Sequence, residues 1–251
     1  MKVYFILEDT LYYIPQMLDT VLADKHYDYV EVACVSELKK AGKIGWNSYL
    51  KRHILDIGII SCVKLVLIGL KGLIAGKTVH SIAKKHDVPV IDVKNVNDKS
   101  FIQHIKDLDI DVVVSSNPQI FKKELLNAPN IACINRHSAL LPANGGLLPV
   151  FYAIVSGEAY TGATIHKMDV TIDTGQIICQ RAIEIPARPV LSDLYEKCYA
   201  LSAELILQAL EILEKNLPEQ PLKEPTRQAS YHSLPTADDW RKFKNRGAKF
   251  A

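Results

Sequence analysis

The feature of the sequence that most limits its fold is a regular alternation of short apolar runs with stretches of helical periodicity. Helices are predicted over residues 79–86 and 99–108, and strands over 88–93, 112–115 and 176–185. Strands that alternate with helices form mostly parallel sheets, because each crossover helix packs on one face of the sheet. The alternation therefore predicts an α/β fold with a mostly parallel twisted sheet and helices on both faces.

The amino-terminal residues continue the same pattern. Strands are predicted over residues 3–7 and 29–35, with a helix over 14–22 between them. Nucleotide-binding sheets usually have glycines in the turn after the first strand, because the backbone must approach the phosphates closely. The turn over residues 8–10 has the sequence EDT and no glycine, so a dinucleotide site is not expected.

The carboxy-terminal part of the chain contains one long helix and a tail. Ser192 is a candidate N-cap for a helix that continues to Leu213 with apolar residues on one face. A segment with several prolines follows and favours an irregular connection. We therefore predict a catalytic domain over residues 1–216 and an extension over residues 217–251 that packs on the core.

The extension has two features of its own. Thr236 and Asp239 have the spacing of a capping box for a last short helix. Tyr231, His232 and Trp240 are large ring-bearing side chains in this tail. Packing of these rings on the core is the favoured interpretation, and closure over a substrate is the alternative.

Composition excludes several classes of function. Of 251 residues, 48% are hydrophobic and 23% are charged, and the net charge is only +2, which is typical of a globular protein and not of one that binds nucleic acid. The five cysteines are odd in number and scattered within apolar runs, so they are interpreted as reduced core residues of a cytoplasmic protein. No metal site is expected.

Residues 57–75 form the most apolar stretch of the chain. Lys64 and Lys71 interrupt it and share one helical face, which favours an amphipathic helix over a stable insertion into a membrane. It is one of two helices expected within residues 39–77. The favoured interpretation is a core helix with a solvated lysine stripe. A helix at a membrane surface or a contact in a homodimer is the alternative.

The chemistry is expected within residues 131–177. Asn135 and His137 are two residues apart at the end of an apolar run, so their side chains lie on one face of a strand. Asp173 follows later in a turn. An amide donor, an imidazole and a carboxylate can stabilise charge on a carbonyl oxygen and move one proton, which suits acyl or formyl transfer. The same residue types also occur as ordinary turn and cap residues.

The sequence motif in this segment resembles that of a known family. The ordered motif consists of the NRHSALLP series over residues 135–142, Gly146, the Gly162-x-Thr164 pair and the DTG turn over residues 173–175. It resembles the 10-formyltetrahydrofolate-dependent formyltransferases, which include methionyl-tRNA formyltransferase, glycinamide ribonucleotide transformylase and the sugar N-formyltransferases. The resemblance implies a formyltransferase, Rossmann-like fold and 10-formyltetrahydrofolate as co-substrate, with no metal.

The resemblance also implies roles for individual residues. Asn135, His137 and Asp173 correspond to the catalytic residues of the family. Asn135 and a protonated His137 would donate hydrogen bonds to the formyl oxygen, and Asp173 would take the proton of the attacking amine. His166 is interpreted as a structural residue of its strand.

The remaining candidate residues are predicted to form the binding pockets. The loop that follows the strand at 112–115 is implied to line the folate pocket, although an ordinary turn into a helix starting near Pro118 is an equal alternative. The candidates for the folate pocket are Ser116, Asn117, Ile120, Phe121, Leu141, Met168, Asp169 and Gly175, and those for the acceptor substrate are Ser138, Gly145, Gly146 and Thr164.

The acceptor is inferred by elimination. The turn over residues 8–10 lacks the glycines that hold the phosphate in glycinamide ribonucleotide transformylase, and the 35 residues after Asn216 are too few for the second domain of methionyl-tRNA formyltransferase. The expected function is transfer of a formyl group to the primary amine of a nucleotide-linked amino sugar. A formyltetrahydrofolate hydrolase, the two other acceptors, and a folate-binding scaffold with an idle site are the alternatives.

Overall fold

The fold is built on one central sheet and one small two-stranded sheet. The computed structural model describes residues 1–10, 13–35, 63–64, 66–67, 69–70, 76–222 and 228–251. The strands are β1 (Lys2–Glu8), β2 (Asp28–Val35), β3 (Val90–Val93), β4 (Val112–Ser116), β5 (Ala132–His137), β6 (Gly145–Gly146), β7 (Tyr160–Lys167), β8 (Ile177–Glu184) and β9 (Tyr231–His232).

The central sheet has seven strands in the order β3-β2-β1-β4-β5-β7-β8. The first five strands in this order pair in parallel, whereas β7 runs antiparallel to both β5 and β8. The order reverses between β1 and β4, which is the place where open α/β sheets bind ligands. The predicted α/β class with a mostly parallel sheet is confirmed.

Helices cover both faces of this sheet, as predicted. Helices α1 (Ile14–Ala23), α2 (Val79–Lys85) and α6 (Leu191–Glu214) share a core with one face, and α3 (Lys99–Asp107) and α4 (Lys123–Leu126) share a core with the other. The parallel strands are buried on both sides because crossover helices lie on both faces. Two further helices are α5 (Pro149–Ser156) and α7 (Ala237–Asn245).

Two local predictions were wrong. The helix expected near Pro118 begins only at Lys123, because the preceding loop is held by the side chain of Asn117, whose oxygen accepts from the Gln119 N–H. Ser192 does not cap α6, which begins at Leu191 without a side-chain cap. The first N–H groups of α6 instead donate to backbone carbonyls of the chain's last residues, at 2.8 and 2.9 Å.

The tail packs on the core through aromatic rings. The predicted capping box is present, because Thr236 and Asp239 exchange side-chain and backbone hydrogen bonds at the start of α7. On this helix, the Trp240 and Phe243 rings lie 4.7 and 4.9 Å from the ring of Phe151 on α5. Strand β9 pairs in parallel with β6 and so brings the tail beside the motif segment.

Most of residues 39–77 lies outside the described residues. Of the amphipathic helix expected at 57–75, only residues 63–64, 66–67 and 69–70 are described, and all six are helical. Four apolar side chains of that stretch are described and exposed, namely Val63, Val66, Leu67 and Leu70. Within the described part of the chain, no helix is both long and apolar enough to cross a membrane. Four of the cysteines are described, and all four are buried and unpaired, as predicted.

Candidate active site

A cavity of about 700 Å³ opens at the carboxyl ends of β1, β4 and β5. It lies at the point where the strand order reverses. Residues from β5, from the loop after β4 and from the loop between β7 and β8 all line it, together with residues of α6 and the tail. The loop after β4, the end of β5 and the loop that carries Asp173 therefore meet at one edge of the sheet.

The cavity brings Asn135, His137 and Asp173 together. Asn135 and His137 occupy the last positions of β5, and alternation along the strand directs both side chains to one face. Asp173 comes from the loop after β7, and its Oδ2 lies 3.6 Å from Nδ1 of His137. The predicted catalytic trio thus forms one cluster, although its three members come from separate parts of the chain.

Asp173 is held by the backbone of β6. Its own backbone has a φ of 56°, a left-handed conformation that Asp tolerates better than most residues. Its Oδ2 accepts a hydrogen bond of 2.8 Å from the Gly146 N–H. Burial alone would raise the pKa of this carboxyl, but the nearby imidazoles of His166 and His137 and the Gly146 N–H lower it to about 2. Asp173 is therefore a fixed negative charge.

His137 is 6% exposed, so its ring lies almost entirely inside the protein. Its Nε2 donates to the carbonyl of Asn144 at 2.8 Å, so the proton of the neutral ring is on Nε2 and the basic nitrogen is Nδ1. Burial lowers the pKa of His137, and the opposing influences of Asp173 and the Asn144 carbonyl do not reverse this. Burial therefore disfavours the protonated ring that the resemblance implied.

His166, which the sequence indicated to be a structural residue of its strand, lies in the same cluster. It is directly opposite Asn135 in the antiparallel pairing of β5 with β7. Its Nδ1 donates to the carbonyl of Lys167 at 3.0 Å, which leaves Nε2 as an acceptor 3.3 Å from the Asn135 amide nitrogen. The same Nε2 lies 3.6 Å from Asp173. His166 therefore lies between the amide and the carboxylate, a position that depends on strand register and has no signal in the sequence.

Most of the predicted folate residues line the cavity. Ser116, Asn117, Ile120, Phe121, Met168 and Asp169 do so. Leu141 and Gly175 do not: Leu141 is 4% exposed within the core, and a Cβ on Gly175 would lie 1.7 Å from the Lys167 carbonyl oxygen. Gly175 thus allows a close backbone approach beneath the cluster. Two exposed apolar side chains of this wall, Val170 and Ile172, were not predicted.

The predicted acceptor residues divide in the same way. Ser138 and Gly146 line the cavity, whereas Gly145 and Thr164 are outside its lining. Thr164 is fully buried, and its hydroxyl donates to the Ala139 carbonyl at 2.7 Å. That contact fixes the turn that follows β5. One further cavity wall was also not predicted. It consists of Tyr13 just before α1, Arg136 of β5, and Ser192, Tyr195 and Tyr199 of α6.

One cluster with metal-ligand chemistry lies outside the cavity lining. Ligand atoms of Asp9, Cys34 and His80 come within 4.8 Å of one another. The Cys34 sulfur is 3.8 Å from Nδ1 of His80, and His80 Nε2 is 3.3 Å from Asp92. Burial raises the pKa of the Cys34 thiol to about 12, which disfavours the thiolate that metals prefer. In the described residues these three side chains could hold a cation, but they do not reach the trio.

The fold and the site together define an α/β protein with an amide, a buried imidazole and a carboxylate at the carboxyl edge of its sheet, the arrangement of a group-transfer enzyme. Comparison with known proteins identifies the family. The model described as formyl transferase matches residues 52–210. The chain therefore belongs to the formyl transferase family.

Individual relatives resemble the chain in sequence or in fold. The methionyl-tRNA formyltransferase of Clostridioides difficile (strain 630) is 35% identical over 144 residues, which are 57% of this chain and 47% of the relative. The chain thus spans about half the length of the curated relatives it matches. The crystal structure of glycinamide ribonucleotide transformylase 1 from Symbiobacterium toebii has a TM-score of 0.61 at 15% identity, over 86% of this chain and 88% of that one.

A third relative resembles the chain over almost its whole length. The sugar N-formyltransferase from Shewanella sp FDAARGOS_354 has a TM-score of 0.56 at 20% identity, and the match covers 98% of this chain and 87% of the solved chain. At such low identity the two solved structures establish a shared fold and nothing about the acceptor.

Proposed function

We propose that this chain transfers a formyl group from 10-formyltetrahydrofolate to a primary amine, preferably that of a nucleotide-linked amino sugar. The observation that carries the proposal is the cluster of Asn135, His137 and Asp173 in one buried site, in a chain of the formyl transferase family. Residues 1–216 form the catalytic domain in this proposal, and residues 217–251 form an extension that packs on it.

The folate co-substrate has a suitable surface in the cavity. Ile120 and Val170 are 62% and 69% exposed, and both line the cavity near Met168. Apolar side chains exposed within a concave pocket favour an aromatic ring system, and the neighbouring polar groups of Asn117 and Asp169 can orient its nitrogens. We assign this wall to 10-formyltetrahydrofolate and the opposite wall to the acceptor, with Ser138 and Gly146 at the boundary.

Asn135 stabilises the charge that forms when the amine attacks. One proton of its amide is directed to His166, and the other remains available for the formyl oxygen, which becomes negative as the new carbon–nitrogen bond forms. A donor that is already oriented costs no reorganisation at that moment, and losing one such donor typically costs about 2.7–4 kcal/mol in the transition state.

His137 moves the proton. Its neutral ring has a free lone pair on Nδ1, so it accepts the proton of the attacking amine, and the carboxylate of Asp173 at 3.6 Å stabilises the imidazolium. The imidazolium then gives that proton to the folate nitrogen as its bond to the formyl carbon breaks. Asp173 itself is too weak a base for this step, because its pKa is about 2. In this assignment His137 takes the amine's proton, whereas the resemblance implied that Asp173 takes it.

One feature of the sequence supports an amino-sugar acceptor over glycinamide ribonucleotide. The turn after β1 lacks the glycines that would hold a substrate phosphate there. The mild net charge of +2 also favours a small acceptor over a nucleic acid. Methionyl-tRNA is the second candidate, because the relatives of 31–35% identity act on it according to their names.

The test is release of tetrahydrofolate from 10-formyltetrahydrofolate with nucleotide-linked amino sugars, glycinamide ribonucleotide, methionyl-tRNA or no acceptor. Turnover that requires one amino sugar and is lost in His137→Ala supports the proposal. Equal turnover without acceptor identifies a hydrolase, in which water replaces the amine. Turnover with methionyl-tRNA alone identifies the second candidate.

We further propose that the protein acts in the cytoplasm, where thiols remain reduced, because the described cysteines are buried and unpaired. A homodimer remains part of the proposal. Its support is the exposed apolar set Val63, Val66, Leu67 and Leu70. The test is to compare the sedimentation mass of the wild-type protein with that of the Leu67→Glu, Leu70→Glu variant. A mass that the substitutions leave unchanged rejects a dimer through this surface.

A further inference from the structure

Arg136 occupies a position between the two catalytic residues of β5. Because side chains alternate along a strand, Asn135 and His137 project to one face of the sheet and Arg136 projects to the other, towards α6. Arg136 is only 8% exposed and lines the same cavity. The site therefore contains a buried positive charge that the proposed chemistry does not use.

The hydrogen-bonding capacity of this guanidinium is largely unused. Nη2 donates to the Ser138 hydroxyl at 2.8 Å, but the buried Nε and Nη1 have no partner among the residues that the structure describes. None of the ion pairs between described residues includes Arg136. Burying a cation without a counter-charge costs several kcal/mol, so such a group usually has an anionic partner.

Aromatic rings hold the guanidinium in one position. Its Cζ lies 3.7 Å from the centre of the Tyr199 ring on α6. The Tyr13 ring stacks against Tyr199 at 5.2 Å and against Tyr195 at 6.3 Å. The Tyr13 hydroxyl donates to the Ser192 carbonyl at 3.2 Å and ties this group to the first turn of α6. The charge is thus fixed against a flat aromatic wall of the cavity.

The negative groups of the cavity do not compensate Arg136. Asp173 is held by Gly146 and the two histidines, and Asp169 accepts from the hydroxyls of Thr171 and Thr174. Glu8 belongs to β1, which is separated from β5 by β4. A negative group on a bound ligand would therefore meet a positive charge that no described carboxylate neutralises.

We propose that Arg136, on its wall of tyrosines, binds an anionic oxygen group of the acceptor substrate, either a phosphate or a carboxylate. The inference rests on the proposed formyl transfer, because it assigns the acceptor to the α1 and α6 side of β5. A phosphate is the form that a nucleotide-linked amino sugar would supply. A carboxylate would instead indicate an acceptor related to an amino acid.

The test uses calorimetric titration of the full chain with pyrophosphate, uridine 5′-diphosphate and succinate. The wild-type protein is expected to bind at least one probe, and Arg136→Met is expected to weaken that binding about ten- to hundred-fold, the range for a lost hydrogen bond to a charged group. Arg181→Met is the matched control. It removes the same charge from a half-exposed side chain on β8 that pairs with Glu204, and it should bind as the wild type does.

The probes distinguish the two anion types. Binding of the phosphate probes without succinate assigns a phosphate, and the reverse assigns a carboxylate. Wild-type protein that binds none of the three, or an equal effect of the two substitutions, overturns the inference. If Arg136→Met does not fold, the absence of binding to the wild-type protein still overturns the inference.

A second measurement separates the acceptor side from the folate side. The bound probe should inhibit competitively against the acceptor amine, and Arg136→Met should leave the affinity for 5-formyltetrahydrofolate unchanged; competition with folate overturns the inference. Formylation of an amine by a protein that binds no probe keeps the proposed function and rejects the anion site. Probe binding that Arg136→Met abolishes, without formyl transfer to any acceptor, keeps the anion site and rejects the proposed function.

Discussion

Asn135 on β5 lies directly opposite His166 on β7, and its amide nitrogen is 3.3 Å from Nε2 of His166. This contact determines which way the amide points. The Nδ1–H of His166 donates to a backbone carbonyl, so Nε2 can only accept in the neutral ring, and the amide must direct its NH₂ group towards it. The register between two strands thereby orients the proposed oxyanion donor.

The first prediction concerns this orientation. His166→Leu removes the acceptor for Asn135, and we expect kcat to fall about tenfold, the effect of one lost hydrogen bond, while KM for both substrates changes little. His166→Gln keeps a hydrogen-bonding group and should recover part of the loss. His26→Leu, at a mostly exposed histidine, is the control. An unchanged kcat in His166→Leu would show that the amide needs no such support.

The second prediction concerns the charge of His137. Because burial lowers its pKa below the usual 6.5, the neutral base persists to mildly acidic pH. We expect kcat/KM to fall with decreasing pH only below pH 6.5. His137→Ala should lower the rate by about 10²–10⁴, the usual contribution of a general base, and abolish that acid limb. A limb above pH 6.5 in the wild type would contradict the neutral imidazole.

The third prediction concerns stability and Asp173. Its folded pKa of about 2 lies below the ordinary 3.8, so its ionised form stabilises the fold above about pH 4. That contribution, about 2 kcal/mol at most, is lost as the pH falls from 4 towards 2. Asp173→Asn should therefore reduce the free energy of unfolding at pH 7 and converge with the wild type near pH 2. Denaturant titration measures this, and a difference independent of pH would refute it.

The fourth prediction concerns the backbone that holds Asp173. Gly146 has a φ of 89°, and an added Cβ would lie 2.2 Å from the His232 carbonyl oxygen. Gly76 also has a positive φ, but no atom of the described residues lies within 4 Å of such a Cβ. We expect Gly76→Ala to cost only about 1–2 kcal/mol from φ strain, whereas Gly146→Ala should cost about 1–3 kcal/mol more and reduce activity. Equal losses would mean that β6 and β9 separate easily.

The fifth prediction distinguishes the two interpretations of the tail. Trp240 is buried against Phe151, so Trp240→Ala should lower the free energy of unfolding by about 3–5 kcal/mol. Tyr231 is 59% exposed and lines the cavity, so Tyr231→Ala should leave stability within about 0.5 kcal/mol and lower kcat/KM. Unchanged kinetics in Tyr231→Ala would restrict the tail to packing.

Local patterns were sufficient for the architecture and for the trio. Strands and helices bury side chains at different spacings along the chain, so each can be recognised from its apolar pattern. The alternation of the two patterns therefore predicts the parallel sheet. The Thr236 capping box was also predictable, since its hydrogen bonds connect residues three apart. Asn135, His137 and Asp173 were recognisable from the order of the motif that contains them.

Tertiary structure decided the features that depend on distant pairings. His166 joins the cluster only through the register of β7 with β5, and a shift of one residue would direct it to the other face. Ser192 does not act as a cap, because the first N–H groups of α6 donate to backbone carbonyls of the last residues. The order of the motif alone identified the residues that we propose for the chemistry. The burial that lowers the pKa of His137, and the burial of Arg136 without a described counter-charge, arise from contacts between distant parts of the chain.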